Sequence, residues 1–529
     1  MFLLLWILEY LYLFLVDNAR FKEKYFSNGD VYIGFVKGKR RHGKGKYTWS
    51  NGTIYEGDWV DGKRTGKGRI IYPSGASYEG EFFRNSRHGH GTLKKSDGGI
   101  YVGNFESDLF HGKGKYTWSH GTIYDGDWVD GRRTGKGQMI YLSGTSFEGQ
   151  FFRNSRHGQG TLTISNGQVY IGNFKSNLFH GKGKYTWPDG EIYEGDWIDG
   201  RKTGKARIIC PSGSTFEGEF SRNSRHGHGT LKKSNGDIYI GNFESDLFHG
   251  KGKYTWLDGT IYEGDWVEGR RIGKGRIIYP SGASLEGEFS RNSFHGHGTH
   301  TKSNGEVYIG NFKSDFYHGK GKYTWSDGTV YEGDWVDGGR TGKGRIIYPS
   351  GSIFKGEFSK NSRHGHGTLK KSDGDIYIGN FESDLFHGKG NYTWSDGTVY
   401  EGDWVDGRRT GKGRIIYPSG ASFEGEFSRN SFHGHGTHTK SNGEVYVGNF
   451  KSGFSHGKGK YIWSDGTIYK GDWVDGKSTG KGLIIYPSGA SFEGEFSRSS
   501  HRGHNTLTKS NEDVYIDSTE SNLFHSQGK

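Results

Sequence analysis

His88 and His90 stand two residues apart, on one face of an extended strand, and the pair recurs at His226/His228, His295/His297, His364/His366 and His433/His435. Paired imidazoles are zinc-ligand material, but a zinc site needs about four ligands within roughly 2.3 Å of the metal. No cysteine or carboxylate keeps a fixed place beside these pairs. They read as structural or solvated residues, and histidines charging near pH 6 would strengthen contact with an anionic surface. Residues 471–478, GDWVDGKS, match the phosphate-loop expression Gly-x-x-x-x-Gly-Lys-Ser/Thr. That loop must follow a strand and open a helix. A sister stretch, Gly57 to Arg64, reads GDWVDGKR and has hairpin character, so Ser478 is arginine-to-serine drift. The lone Cys210 stands where Tyr72, Tyr279 and Tyr348 stand in other copies, so no intrachain disulfide can form. That fits a reducing compartment. No catalytic triad, metal motif or paired-carboxylate constellation stands out, and the chain reads as a non-enzyme without a cofactor.

The elements that would position any such residue are set by one spacing. From Tyr32 to Tyr515 an aromatic or large apolar residue recurs every 23 residues without insertion or deletion, interrupted in type only by Leu285. A fixed period of this size means that each unit is a supersecondary element burying its apolar face on its neighbours. Glycine supplies 94 of 529 residues, 31% are hydrophobic and 16% aromatic. This is too little apolar material for a large globular core and too aromatic for a disordered polymer.

One copy reads YEGDWVDGKRTGKGRIIYPSGAS from Tyr55. Alternation places Tyr55, Gly57 and Trp59 on one face of a strand. Val60 to Thr65 has turn composition. Gly66, Gly68, Ile70 and Tyr72 alternate again, and Pro73-Ser74-Gly75 turns into the next copy. Each unit is therefore a β-hairpin in an antiparallel meander. The glycine two places after the aromatic is present from Gly34 to Gly494 and the one eleven after it from Gly43 to Gly503; the one thirteen after it fails only at Ala206 and Asn505. Glycine inside a strand implies a close approach that a Cβ would block. The expected arrangement lays the aromatic of one strand across the glycine of the next. A second period of 69 residues groups three unit types, and all tryptophans but Trp6 take two places in it, the Trp49 series and the Trp59 series. Such spacing reads as structural.

These motifs, Tyr-x-Gly-x-Trp/Phe, then His/Thr-Gly-x-Gly, then Gly before the next Tyr, resemble the membrane occupation and recognition nexus (MORN) repeat over residues 32–514. The resemblance implies an all-β, elongated single-layer antiparallel meander of stacked hairpins, twisted or curved as a ribbon. Twenty-one repeats at about 4.8 Å per strand would extend roughly 200 Å. It also implies membrane-proximal or cytoskeletal organisation through protein–protein contact, including homodimers, and contact with anionic phospholipid.

The net charge of +12 permits but does not demand an acidic partner, and nothing points to nucleic acid. Lys63, Arg64, Lys67 and Arg69 in one unit, with Arg84, Arg87, Lys94 and Lys95 in the next, are the candidate lipid or partner contacts. Each is worth about 1 kcal/mol near an anionic leaflet. The competing reading makes them charged residues that keep a flat sheet soluble. Residues 1–16, MFLLLWILEYLYLFLV, carry only Glu9 as a charge and stand as an anchor, a signal or an eroded leading repeat. Arg20, Lys22 and Lys24 after them would hold the repeats on the cytoplasmic side. Residues 17–31 form a linker and partial leading repeat, with Tyr25 to Val31 as its strand, and residues 515–529 a degenerate partial unit. A cytoplasmic, membrane- or cytoskeleton-associated scaffold is the first expectation. A regulatory partner of a phosphatidylinositol phosphate kinase and a secreted or surface adhesin, the latter favoured by the sequons at Asn51 and Asn391, are the alternatives.

Overall fold

The computed structural model describes residue 11, residues 18–509 and residues 514–517. The apolar segment 1–16, apart from Leu11, lies outside the described residues. No described helix is long and apolar enough to cross a membrane.

From Arg20 onward every described element is a strand. The chain divides into two compact units, residues 1–258 with 266–269, and residues 259–265 with 270–529. In the first unit strands run from Arg20–Tyr25 to Leu247–Thr255, each pairing antiparallel with its sequence neighbours. In the second the same meander runs from Arg270–Ile278 to Val514–Asp517.

Each copy is a seven-residue strand, such as Ile54–Val60, followed by a nine-residue strand, such as Lys63–Ile71. The turn between them is tighter than composition suggests. Only Asp61 and Gly62 form it, at φ 51° and 82°, while Lys63, Arg64 and Thr65 already belong to the long strand. Two consecutive left-handed residues match the twist of a two-residue hairpin. The register then slips. Gly57 pairs with Gly68, but Asp58 pairs with Thr65, which leaves Gly66 and Lys67 as extra residues of a bulge. Toward the next hairpin the pairing is regular, with Gly66 opposite Phe82 and Gly68 opposite Gly80. On the opposite edge Tyr72 and Ala76 close the loop, with Gly75 left-handed at φ 81°.

The leading strand differs from its expectation. It is Arg20–Tyr25, paired with Val31–Lys37, rather than Tyr25 to Val31. Backbone bonds define the strand, and Phe21 packs edge-on against Phe35 at 5.6 Å, so no repeat glycine is needed there.

The core is a herringbone of rings on one face of the sheet. Tyr55 meets Trp59 and Phe82 edge-on, each at 5.1 Å, Phe82 meets Tyr78 at 5.1 Å, and Tyr78 meets Phe105 at 4.9 Å. Edge-to-face contact at this spacing suits the ring quadrupole. Tyr55 is 0% exposed and Trp59 2%.

Candidate functional site

The sheet offers three surfaces: the aromatic face, the charged face behind it, and the edge of tight turns. The aromatic face is closed by its own geometry. The Tyr55 ring lies so close to Gly68 that a Cβ there would stand 2.5 Å from the hydroxyl, and a Cβ on Gly57 would meet the Gly68 Cα at 2.5 Å. The Tyr55 hydroxyl donates to the Asp58 carbonyl oxygen at 3.0 Å, and the Trp59 indole N–H donates to the Gly45 carbonyl at 3.1 Å. Burial raises the Tyr55 hydroxyl well above its ordinary value; the same cause brings Tyr170 and Tyr262 to about 12. These phenols stay neutral and structural.

Gly66 has a separate task. It is left-handed at φ 58°, and a Cβ there would stand 2.6 Å from Asp58 Oδ2. That oxygen accepts the Lys67 amide at 2.9 Å, while Asp58 Oδ1 pairs with Lys44 at 2.6 Å. Gly75, also left-handed, has open space around it.

The eight candidate cations do not share one surface. Arg64 rises over the aromatic face, its guanidinium 5.7 Å from the Tyr55 centroid and 5.3 Å from that of Phe82, and donates to the Asn85 carbonyl at 2.6 Å. Burial lowers its pKa. Arg87 does the same over Tyr78 and Phe105 and forms an ion pair with Asp108 at 3.1 Å. Arg84 sits in a turn at φ 51° over the Phe83 ring, and Lys95 lies 4.9 Å over Tyr116. Lys63 is exposed beside its turn. Only Lys67, Arg69 and Lys94 come together, with Lys44 and His90, in a groove of about 910 Å³ on the charged face, where Glu56, Glu79 and Glu81 alternate with them. Similar grooves recur over Lys136 and Gln138 in the first unit, and over Arg345 and Arg414 in the second.

The histidine pairs form no metal cluster among the described residues; His90 and His297 each face an asparagine, Asn104 and Asn311, at 3.4 Å. The stretch 471–478 is a hairpin, with strands Ile468–Val474 and Lys477–Ile485 around the turn at Asp475 and Gly476. Cys210 is half-buried, its thiol 3.6 Å from Glu191 Oε2, and burial raises its pKa.

Sequence reasoning passed over the turn residues that receive the arginines. Asn85 and Asp108 each accept from the amide 21 residues earlier, Arg64 and Arg87, so every such turn docks on the preceding hairpin. Comparing copies would have shown it, because Asn or Asp stands 21 residues after nearly every arginine of this type. The loop clusters were missed too. Tyr254 donates to Asp237 at 2.6 Å and accepts from Lys233 at 2.8 Å, and the tyrosine bond holds the Asp237 carboxyl below its usual range.

The turn edge also carries exposed apolar residues in a fixed pattern. Val60, Val129, Ile198, Val336, Val405 and Val474 end short strands, and Leu109, Leu178, Phe316, Leu385 and Phe454 begin long ones. Each of the latter lies beside the glycine of the next turn: a Cβ added to Gly131 would stand 3.8 Å from Leu109, and one added to Gly476 3.5 Å from Phe454.

The chain is similar to the MORN repeat over twenty consecutive units, residues 32–54 through 469–491, with Leu285 alone left unmatched. No curated protein matches it. Among solved structures, the TCP10 domain of Danio rerio CPAP in complex with a STIL peptide is 12% identical, with 56% of this chain and 99% of that one aligned at a TM-score of 0.18. The TCP domain of Drosophila melanogaster SAS-4 with a proline-rich motif of Ana2 is 17% identical over 34% and 85%, at 0.18. Virginiamycin B lyase from Staphylococcus aureus is 12% identical over 72% and 94%, at 0.11. Superposition this poor carries no argument about this chain.

Proposed function

The chain belongs to the MORN repeat family, its matched units filling residues 32–491, and from that premise we propose that it is a non-catalytic scaffold that gathers proteins at a membrane or cytoskeletal structure by multivalent contact. The observation that carries this reading is the turn edge. Within each unit an apolar pair, such as Leu109 with Val129 or Leu385 with Val405, returns every 69 residues with the side chains 40–57% exposed. Six strands separate successive pairs, a step of about 29 Å. Isolated exposed apolar residues need no explanation, but a periodic row of them presents one weak contact many times. Linked weak contacts add through effective concentration.

Proximity labelling with the full chain, followed by capture of the labelled partner, tests this. Replacing Leu109, Leu178 and Leu385 by Glu one at a time should weaken capture slightly, and all three together far more than the sum. A strictly additive loss, or none, would sink the multivalent reading.

Contact with anionic phospholipid is the membrane half of the same proposal. Lys63, Lys67, Arg69 and Lys94 are its candidates, because these four are exposed and not stacked on rings. Arg64 and Arg87 are committed to the aromatic face. Flotation with vesicles of phosphatidylcholine, with and without phosphatidylserine, checks it: binding that does not fall with added salt would remove the lipid contact and leave the protein scaffold standing.

A further inference from the structure

On the charged face Arg69, Arg207, Arg276 and Arg414 on long strands each stand opposite a glutamate of the next strand, while Gln138 and Leu483 take that place in two other copies. In the second unit this row reads Arg276 opposite Glu286 and Arg414 opposite Glu424, with the charged groups 3.8 and 4.0 Å apart. Between these two copies stands one exception. Arg345 faces Lys355 directly across the ladder. Both side chains are exposed, and among the described residues neither takes part in an ion pair. Like charges placed directly opposite repel; on its other side Arg345 faces Glu332, a carboxylate shared with Lys322, so the row Lys322, Glu332, Arg345 and Lys355 carries two positive charges in excess.

The place is a formed groove. About 740 Å³ of open space lies over Gly344 and Gly356, bordered by Lys320, Lys343 and His366 as well as by Arg345 and Lys355. Its carboxylates are Glu332, which pairs with Lys322 at 3.4 Å, and Glu357, opposite Lys343. Lys320 is taken up by Asp334 at 2.5 Å, which leaves Lys343, Arg345 and Lys355 against two carboxylates; in the groove around Arg414, Lys389 is taken up by Asp403 at 2.7 Å, which leaves Lys412 and Arg414 against Glu401, Glu424 and Glu426. Glycine on adjacent strands leaves the floor open. Another like-charged cross-strand pair, Lys460 opposite Lys470, is followed across the sheet by Leu483, so no guanidinium joins it.

We propose that the groove over Gly344 and Gly356 binds a doubly charged phosphate group, held between Arg345 and Lys355. Cross-strand neighbours stand about 5 Å apart at Cβ, so one dianion reaches both heads. The guanidinium supplies a two-pronged set of donors that matches phosphate oxygens, and the ammonium adds a point charge. A monoanionic carboxylate would leave one of the two cations uncompensated. The phosphate is carried either by a soluble ester or by a lipid headgroup. The site is a single place in one copy, so it stands apart from the repeated apolar contacts of the scaffold reading.

Calorimetric titration of the full chain with inositol trisphosphate, and flotation with phosphatidylcholine vesicles with and without phosphatidylinositol bisphosphate, test it. One saturable site is expected, weakened by roughly tenfold or more in Lys355→Glu. That variant restores the residue of the sister copies, so its melting temperature should equal or exceed the parent's. Glu424→Lys should build a second site and double the stoichiometry. Binding of the soluble ester alone assigns a soluble ligand; vesicle binding that Lys355→Glu also abolishes assigns the headgroup. The proposal is overturned if neither probe binds saturably, or if Lys63→Glu weakens binding as much as Lys355→Glu. Partner capture through the turn edge should be untouched by Lys355→Glu, which separates failure of this site from failure of the scaffold.

Discussion

Arg87 holds Asp108 through three bonds: its amide and Nε both donate to Asp108 Oδ1, at 3.0 and 3.1 Å, and its Nη2 donates to the Asp108 carbonyl oxygen at 2.9 Å. One side chain thereby roofs the aromatic face and pins the following turn. The arrangement returns at Arg225 with Asp246 and at Arg363 with Asp384, and with asparagine as acceptor at Arg64 with Asn85.

Because asparagine serves in the sister copies, Asp108→Asn should cost no more than about 0.5 kcal/mol. Asp108→Ala should cost about 1–2 kcal/mol, since it leaves the Arg87 amide without that acceptor and places a non-glycine residue lacking a polar side chain in a left-handed turn. Thermal unfolding of the two variants side by side measures the difference; equal losses would mean that the side-chain acceptor is irrelevant.

Gly66 and Gly75 separate two reasons for glycine. Both are left-handed, at φ 58° and 81°, but only Gly66 would push a Cβ into Asp58. Gly75→Ala should cost about 1 kcal/mol from backbone strain alone. Gly66→Ala should cost about 2–3 kcal/mol, because the methyl also displaces the carboxylate that holds Lys44 and the Lys67 amide. Urea unfolding distinguishes the two, and a similar cost at both positions would reduce the bulge glycine to a matter of φ.

One copy lacks its aromatic, and another residue covers the gap. Leu285 stands in the tyrosine place, and Phe294, where Arg87 and Arg225 stand in sister copies, is 1% exposed with its ring over Gly298 at 2.5 Å from an added Cβ. Phe294→Arg should therefore cost about 3 kcal/mol alone. In a Leu285→Tyr background the same change should cost little, since it recreates a sister copy. A double-mutant cycle tests this coupling, and additive losses would refute it.

His300 and His438 occupy a place held elsewhere by Leu93 and Leu369. Burial first, and then Lys302 or Lys440, lowers their pKa values. The unfolded chain takes up the proton first, near the ordinary value of about 6.5. The stability that these groups leave intact above that pH is lost as pH falls toward their folded values. Replacing both by Leu should raise the melting temperature at pH 5 relative to the parent by more than it does at pH 8. An identical offset at both would show that the histidines do not titrate. The lost bond between His300 and Tyr317, 2.8 Å, affects both conditions alike.

Much of the architecture was legible because it is a steric demand repeated in every copy. A ring laid on Gly57 and Gly68 leaves no room for Cβ, so the chain itself displays the full pattern eighteen times in twenty-one copies, broken only at Ala206, Leu285 and Asn505. The faces of Arg64 and Arg87 were legible by parity, since Arg64 alternates with Gly66 and Gly68; reading Val60 to Thr65 as a turn concealed it. Composition could not locate the bulge at Gly66 and Lys67, because the slip depends on which amide Asp58 accepts.

Period, hairpin and aromatic face were therefore determined by the sequence alone, since backbone pairing and close packing act on each 23-residue unit locally. The tertiary structure alone decided that Phe294 swings over the gap left by Leu285, that three of eight candidate cations share a groove, and that Arg345 and Lys355 border open space. Those outcomes depend on side-chain direction and on the room left between adjacent strands, which no spacing along the chain records.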